Sequence, residues 1–303
     1  MAITDKLAAI GDAIREKTGG TDELTLDQMV TEIGNISGGS TIDFTTIEDV
    51  WVSKKTKLPM ETYTNARVTK VKHGAFSYLT GIKTVNLPNV TTIGEYAFLG
   101  CSLITINAPK VTKIDTRAFS SGYISELNFP LVTTIGDYCF YGSNQTFTTV
   151  DLPKLTTIGT NVFDNNKNLV TVNFPILVRL SSYSLRDCSS LKNVNLPKVE
   201  YIENNAFASC TALETLDLPS LKELSGWNES FNGCSSLTAF IIRNTTGVAK
   251  SGSANMFRNT PIASGTGYIY VPDELVESYK TATNWVTYAN QIKPLSEYVE
   301  VTE

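Results

Sequence analysis

The chain has 303 residues, 42% apolar and 18% charged, with 20 glycines and 11 prolines, a composition that excludes collagen-like and low-complexity classes. Its formal net charge of -5 leaves no basic footprint for nucleic acid; the one basic concentration, Lys54, Lys55, Lys57, Arg67, Lys70 and Lys72, reads as a solvated first coil whose lysines discourage edge pairing. Met1 to Asp5 lacks the basic-then-apolar order of a signal peptide, and no apolar stretch approaches the roughly 18 residues of a membrane span, so cytosolic synthesis without membrane insertion is expected.

Residues 3–36 read as a helical hairpin. Leu7, Ile10 and Ile14 follow helical spacing, Gly19 and Gly20 stop the first helix, and Thr25-Leu26-Asp27-Gln28 forms a capping box for the second. Two short helices bury too little to stand alone, so this module is expected to dock or self-associate. Residues 37–41, with Ser37-Gly38-Gly39-Ser40, form a flexible linker. Residues 42–65 read as an N-terminal capping segment.

From 66 to 242 the chain repeats itself. Pro88, Pro109, Pro130, Pro153, Pro175, Pro197 and Pro219 are spaced 21, 21, 23, 22, 22 and 22 residues apart. Ten residues after the first six prolines come Phe98, Phe119, Phe140, Phe163, Leu185 and Phe207; Phe231 follows Pro219 by twelve, which marks Gly226-Trp227 as an insertion. Each unit reads L-x-x-V-x-L-P-x-V-x-x-I-x-x-x-A-F-x-x-C. Alternation in Val85-Asn86-Leu87-Pro88 or Val194-Asn195-Leu196-Pro197 predicts a short strand with one inward face, ended by a proline that cannot donate to a ladder. Val90 and Ile93, then Ala97 and Phe98, fill the rest of the coil. No unit buries these residues alone, but stacked neighbours can.

This pattern resembles the BspA-type leucine-rich repeats of bacterial surface and phage-associated proteins. The resemblance implies an α/β, β-rich solenoid: a right-handed horseshoe with short parallel strands on the concave side and irregular or 3₁₀ turns opposite. Residues 243–303 then read as an irregular last repeat and a C-terminal helical cap. In it Tyr268-Ile269-Tyr270-Val271 closes the sheet, Pro272 starts a helix, and Leu275, Val276, Tyr279, Trp285, Tyr288 and Ile292 cover the last coil. In the N-terminal module, the segments from Ile10 to Gly19 and from Leu24 to Met29 are similar to phage tail-associated proteins of Gram-positive hosts. That second resemblance implies attachment to a virion, or self-association, through the helices, and release by lysis.

Chemistry finds little purchase. His73 is the sole histidine, so any Ser-His-Asp triad or multi-histidine metal site would need it. It falls in a tolerant slot shared with Glu95, Thr116, Asp137, Thr160, Ser182 and Asn204 and is expected to face solvent without an orienting partner. Cys101, Cys188, Cys210 and Cys234 all follow the large anchor by three residues, and Cys139 takes the small slot before Phe140. An odd count without an export signal predicts free thiols acting as compact hydrophobes. Asp151 and Asp217 share a slot three coils apart, too far for a glycosidase pair. No catalytic, metal or cofactor site is expected, and the chain reads as a non-enzyme.

One ladder remains. Asn86, Asn107, Asn128, Asp151, Asn173, Asn195 and Asp217 occupy a single outward strand slot in seven consecutive units, preceded by Thr84, Thr105, Thr149, Thr171 and Thr215 in the other outward slot. These side chains can bond to each other along the sheet, and they can also form a polar surface for a protein or glycan ligand. Tyr96, Tyr138 and Tyr183 form a sparser second series. The sequence is therefore read as a recognition or adhesion module, with a secreted-type adhesin, a polysaccharide-degrading phage fibre and a cytosolic scaffold as alternatives.

Overall fold

The computed structural model describes residues 46–47, 62–103, 105–142, 145–227 and 229–300. The expected helical hairpin, the linker and most of the capping segment lie outside them. The described residues form a parallel-strand solenoid of about ten turns, all within the unit Thr45–Glu303.

Each coil contributes to three sides. The first is the expected strand, seen at Thr62–Thr64, Thr84–Asn86, Thr105–Asn107, Thr149–Asp151, Thr171–Asn173, Asn193–Asn195, Thr215–Leu218, Ala239–Ile242 and Tyr268–Val271. Pairing is parallel and in register, with Thr84 opposite Thr105 and Asn86 opposite Asn107. Central residues such as Val85, Val150 and Val172 are fully buried, while their neighbours face outward.

The second is the returning side lined by the Val90 and Ile93 anchors, where no strand was anticipated. The return stretch carrying Ile93 or Ile202 makes two-residue strands that stack into a second parallel sheet, for example Thr92–Ile93 on Lys113–Ile114. The repeat thus holds two strands where its pattern predicted one, because each Thr-Ile pair is too short to show alternation.

On the third side, expected to be irregular or 3₁₀, the backbone forms a regular ladder. Residues two before and two after the anchor take left-handed φ: Tyr96, Arg117, Tyr138, Asn161, Tyr183 and Asn205 before it, Tyr78, Ser121, Asn165, Asp187 and Ser209 after it. The N–H groups of the flanking residues and of the anchor then donate to the next coil, as Tyr96 to Thr116 (3.1 Å), Phe98 to Ala118 (2.7 Å) and Gly100 to Ser120 (3.0 Å). This accounts for buried backbone groups that a loop would leave unpaired.

The anchors fill the interior as a file of rings. Phe76, Phe98, Phe119, Phe140 and Phe163 stack at centroid distances of 4.7, 5.1, 5.3 and 5.4 Å. Leu185 interrupts the file, which resumes with Phe207, Phe231 and Phe257. Phe257 shows that the irregular repeat after residue 242 still forms a coil, and Lys250–Ser251 pairs with Glu223–Leu224.

At the C-terminal end, Tyr268–Val271 is not the closing strand: Ile292–Pro294 pairs with it in parallel and extends the sheet by one. Between them, the 3₁₀ turn Asp273–Leu275 is preceded by Pro272, then come the helix Val276–Thr281 and the 3₁₀ segment Trp285–Gln291. Tyr279, Trp285 and Tyr288 are buried, and their polar tips hold the segment to the last coil. The Trp285 indole donates to the Ala249 carbonyl (2.7 Å) and the Tyr288 hydroxyl to that of Ala254 (2.6 Å).

Candidate functional site

The parallel sheet sets the outward Asn side chains one above another, about 4.8 Å apart by strand spacing. Each amide N–H donates toward the preceding coil. Asn86 bonds Thr64 (2.9 Å) and Asn107 bonds Asn86 (3.3 Å). In a second run Asn173 bonds Asp151 (2.7 Å) and Asn195 bonds Asn173 (2.6 Å), and beside it Asn193 bonds Thr171 (3.2 Å). These bonds are exposed and worth a few tenths to about 1 kcal/mol each. Of the two readings left open by the sequence, lateral bonding along the sheet is therefore present in both runs.

Two of the seven predicted positions depart from the ladder. Asn128 sits in a coil that forms no strand on this face, and its side chain has no bond among the described residues. Leu127, expected to point in, is only half-buried, although Phe129 is buried. The cause is coil length: the connection from Phe119 to Ile124 is two residues shorter than that from Phe140 to Phe147. Gln145, in the longer connection, bridges the step by donating to the Phe119 carbonyl (3.0 Å) and accepting from the Ile124 N–H (3.1 Å). Thr146, just before Phe147, then bonds the carbonyl of the buried Ile124, whereas Val170 and Lys192, just after Leu169 and Leu191, bond Thr148 and Val170, so the strand start is out of register.

Asp217 departs for another reason. Its Oδ2 accepts from Arg243 Nε at 2.7 Å, while Oδ1 is buried without a partner. The next ladder positions are Ile241 and Tyr270. Tyr298, just after the 3₁₀ turn Leu295–Glu297, packs tilted against Tyr270 with ring centroids 5.0 Å apart. The chain's own terminal segment therefore covers this end of the face, and the open surface runs from Thr64 to Asn195.

The tyrosine series has a structural identity the sequence did not reveal. Tyr96, Tyr138 and Tyr183 all occupy the left-handed slot before the anchor, with Arg117 in the same slot between the first two. The Arg117 guanidinium lies 4.9 Å from the Tyr138 ring centroid and 6.0 Å from that of Tyr96, and Arg186 covers Tyr183 at 4.8 Å. Cation–π stacking offsets the backbone strain that such side chains incur there.

His73 is 69% exposed, as expected, but it has neighbours: Glu95 lies 3.5 Å from Nδ1 and the Tyr96 ring packs edge-on at 5.2 Å. Its slot is not uniformly tolerant, because Asn204 has a buried Oδ1 without a partner, close to Gly226. The five thiols are free and buried. They do more than fill space: Cys101, Cys188, Cys210 and Cys234 each donate to the anchor carbonyl of the preceding coil, at 2.6 to 3.1 Å. Asn166, at the same position after Phe163, and Gln145, five residues after Phe140, donate likewise to the Phe140 and Phe119 carbonyls, a donor role that the pattern F-x-x-C could have signalled. Burial pushes the Cys101 thiol up to about 12 and raises those of Cys139, Cys188 and Cys210, which keeps them protonated and unreactive. Among the described residues no cluster of three or more His, Cys, Asp or Glu side chains could hold a metal ion, and no helix is long and apolar enough to cross a membrane.

Residues 45–170 and 156–275 match the family described as BspA type leucine rich repeat region (6 copies). No curated protein matches the chain. Among solved structures it is similar to a leucine-rich repeat protein of T. pallidum, with 25% identity over 52% of this chain and 79% of that one and a TM-score of 0.47. It is also similar to a leucine-rich repeat protein from Bacteroides ovatus (18% identity, 77% and 83% covered, TM-score 0.41). A leucine rich cell surface protein from Faecalibacterium prausnitzii matches at 15% identity, with 76% and 90% covered and a TM-score of 0.24.

Proposed function

The chain belongs to the BspA-type leucine-rich-repeat family, and from that premise we propose that it is a non-enzymatic recognition module whose Thr-x-Asn face binds a protein or glycan. Such regions are typical surface or binding modules. The observation that carries the reading is the open face itself: polar, largely uncharged side chains at fixed spacing, tied laterally to one another and therefore held in place before any ligand arrives. Preorganised side chains lose little entropy on binding.

The carboxylates support this reading over polysaccharide cleavage. Asp151 accepts from Asn173, and Asp217 is paired with Arg243 beneath the terminal segment, so neither stands free in a cleft as an acid or base would. Virion attachment through residues 1–36, and export as an adhesin, rest on sequence resemblance alone and are kept as proposals for the site of action.

The test is the pair Asn128→Lys with Asn173→Lys, compared with Glu95→Lys on the turn side, in a screen of host-surface proteins and glycans. The pair should abolish binding while preserving the far-ultraviolet spectrum and the urea midpoint, and the Glu95 variant should bind normally. The opposite pattern would move the ligand to the turn side.

A further inference from the structure

The Thr-x-Asn face has one irregular coil, residues 123–131, and it differs from its neighbours at several outward positions. Glu126 replaces threonine, Tyr123 stands where other coils have Thr80, Ser102, Lys167, Ser189, Thr211 and Ser235, and Leu131 follows the proline where most others have a polar residue. Tyr123 is 51% and Leu131 44% exposed. In the other coils the face is occupied with itself, since Asn86, Asn107, Asn173 and Asn195 each donate to a neighbour. Here no hydrogen bond or ion pair engages the Glu126 carboxylate, the Asn128 amide or the Tyr123 ring, and the Leu127 and Asn128 backbones make no hydrogen bond, among the described residues.

The charges point the same way. Asp115, Glu200, Glu203 and Asp217 each have a basic partner within 4 Å: Lys113, Lys222, Arg179 and Arg243. Glu126 and Asp151, on adjacent coils, are the acidic residues at the outward strand positions of the open face, and neither has a basic partner among the described residues; Asp137, Glu214 and Glu223 also lack one but lie off that stretch.

Resting on the proposed function of this face, we infer that the irregular coil is the centre of ligand contact and that the ligand is a basic protein segment bearing Arg or Lys side chains. Glu126 and Asp151 supply the complementary charge. Tyr123 offers a ring without a stacking neighbour for a cation–π contact. The Asn128 amide, with free donor and acceptor, matches a peptide group. A neutral glycan would leave both carboxylates without a counter-charge, which is why a basic peptide is the better fit. The ladder rungs on either side act as a rigid frame.

The full chain is probed with a peptide array graded in Arg and Lys content and, in parallel, with an array of neutral oligosaccharides. Binding should rise with peptide basicity and fall with salt. Glu126→Gln with Asp151→Asn should weaken it by roughly tenfold, and Tyr123→Ala should weaken it measurably. Asn173→Ala, in the flanking rungs of the same face, should weaken it, but by less than the carboxylate pair does. The two carboxylate changes are isosteric and Asp151→Asn keeps the Oδ1 acceptor, so folding is preserved and is checked by the urea midpoint. Equal losses from Asn173→Ala and the carboxylate pair would overturn the irregular coil as the centre while leaving the face as the binding surface. Normal peptide binding by the Asn128→Lys, Asn173→Lys protein would refute the face itself. Binding to oligosaccharides alone would overturn the basic partner.

Discussion

Replacing Phe163 by alanine tests whether the ring file holds the solenoid together. Phe163 is fully buried and meets three rings: Phe140 stacked at 5.4 Å, Phe174 at 6.1 Å and Phe147 edge-on at 6.4 Å. Truncating a buried phenylalanine removes the transfer free energy of the ring and leaves a cavity, together about 3–5 kcal/mol. The upper half of that range applies here, because backbone ladders prevent the walls from closing in: Phe140 N–H bonds Val162 (2.9 Å) and Phe163 N–H bonds Ser184 (2.8 Å). Each ring pair also loses roughly 0.5–1.5 kcal/mol of aromatic contact. We expect a loss of about 4–5 kcal/mol by urea denaturation followed by circular dichroism. Phe76→Ala, near the start of the described array, with Tyr63 and Phe98 as its ring neighbours among the described residues, should cost less. A Phe163→Ala loss below about 2 kcal/mol, or one no larger than that of Phe76→Ala, would show that the coils slide to fill the gap and that the file is not rigid.

Thiol titration should count five in unfolded, unreduced protein and almost none in native protein at neutral pH; a native protein that reacts promptly would contradict the buried thiol ladder. Because burial raises Cys101 from 9.0, and Tyr279 from 10.0, to about 12, the protonated forms stabilise the fold at lower pH, and that stability should be lost as pH climbs from about 9 to about 12; a flat melting temperature across that window would contradict it. Asp164 is fully buried and bonded to Asn161 (2.7 Å) and to Arg186 (2.5 and 3.1 Å). Asp164→Ala should cost about 2–4 kcal/mol, discounted from a fully buried pair because Arg186 is partly exposed; a change under 1 kcal/mol would mean that the network relaxes freely. Tyr183, at φ 59°, should tolerate glycine within about 0.5 kcal/mol because relieved strain offsets the lost Arg186 contact, whereas valine should cost about 1–2 kcal/mol. Equal melting temperatures for the two variants would refute the left-handed requirement.

Periodicity alone determined the repeat, the inward anchors and the Thr-x-Asn slots, because a solenoid coil buries the same positions every turn and so imprints its period on the chain. The exposed His73 and the free thiols also followed, since both depend on slot and composition. Other features depended on contacts between coils, which no single unit records. The second sheet and the left-handed ladder exist only because neighbouring coils supply acceptors, as Thr116 does for Tyr96. Cys188 and Cys210 looked like packing residues until the Phe163 and Leu185 carbonyls were placed beside them. Asn128 and Asp217 fit the repeat as well as Asn173 does, yet a two-residue mismatch in coil length breaks the strand at one, and a terminal segment some eighty residues downstream covers the other. A repeat pattern specifies what each coil offers; which offers are taken up depends on the adjacent coil and on whatever folds back across it, and that is settled only in three dimensions.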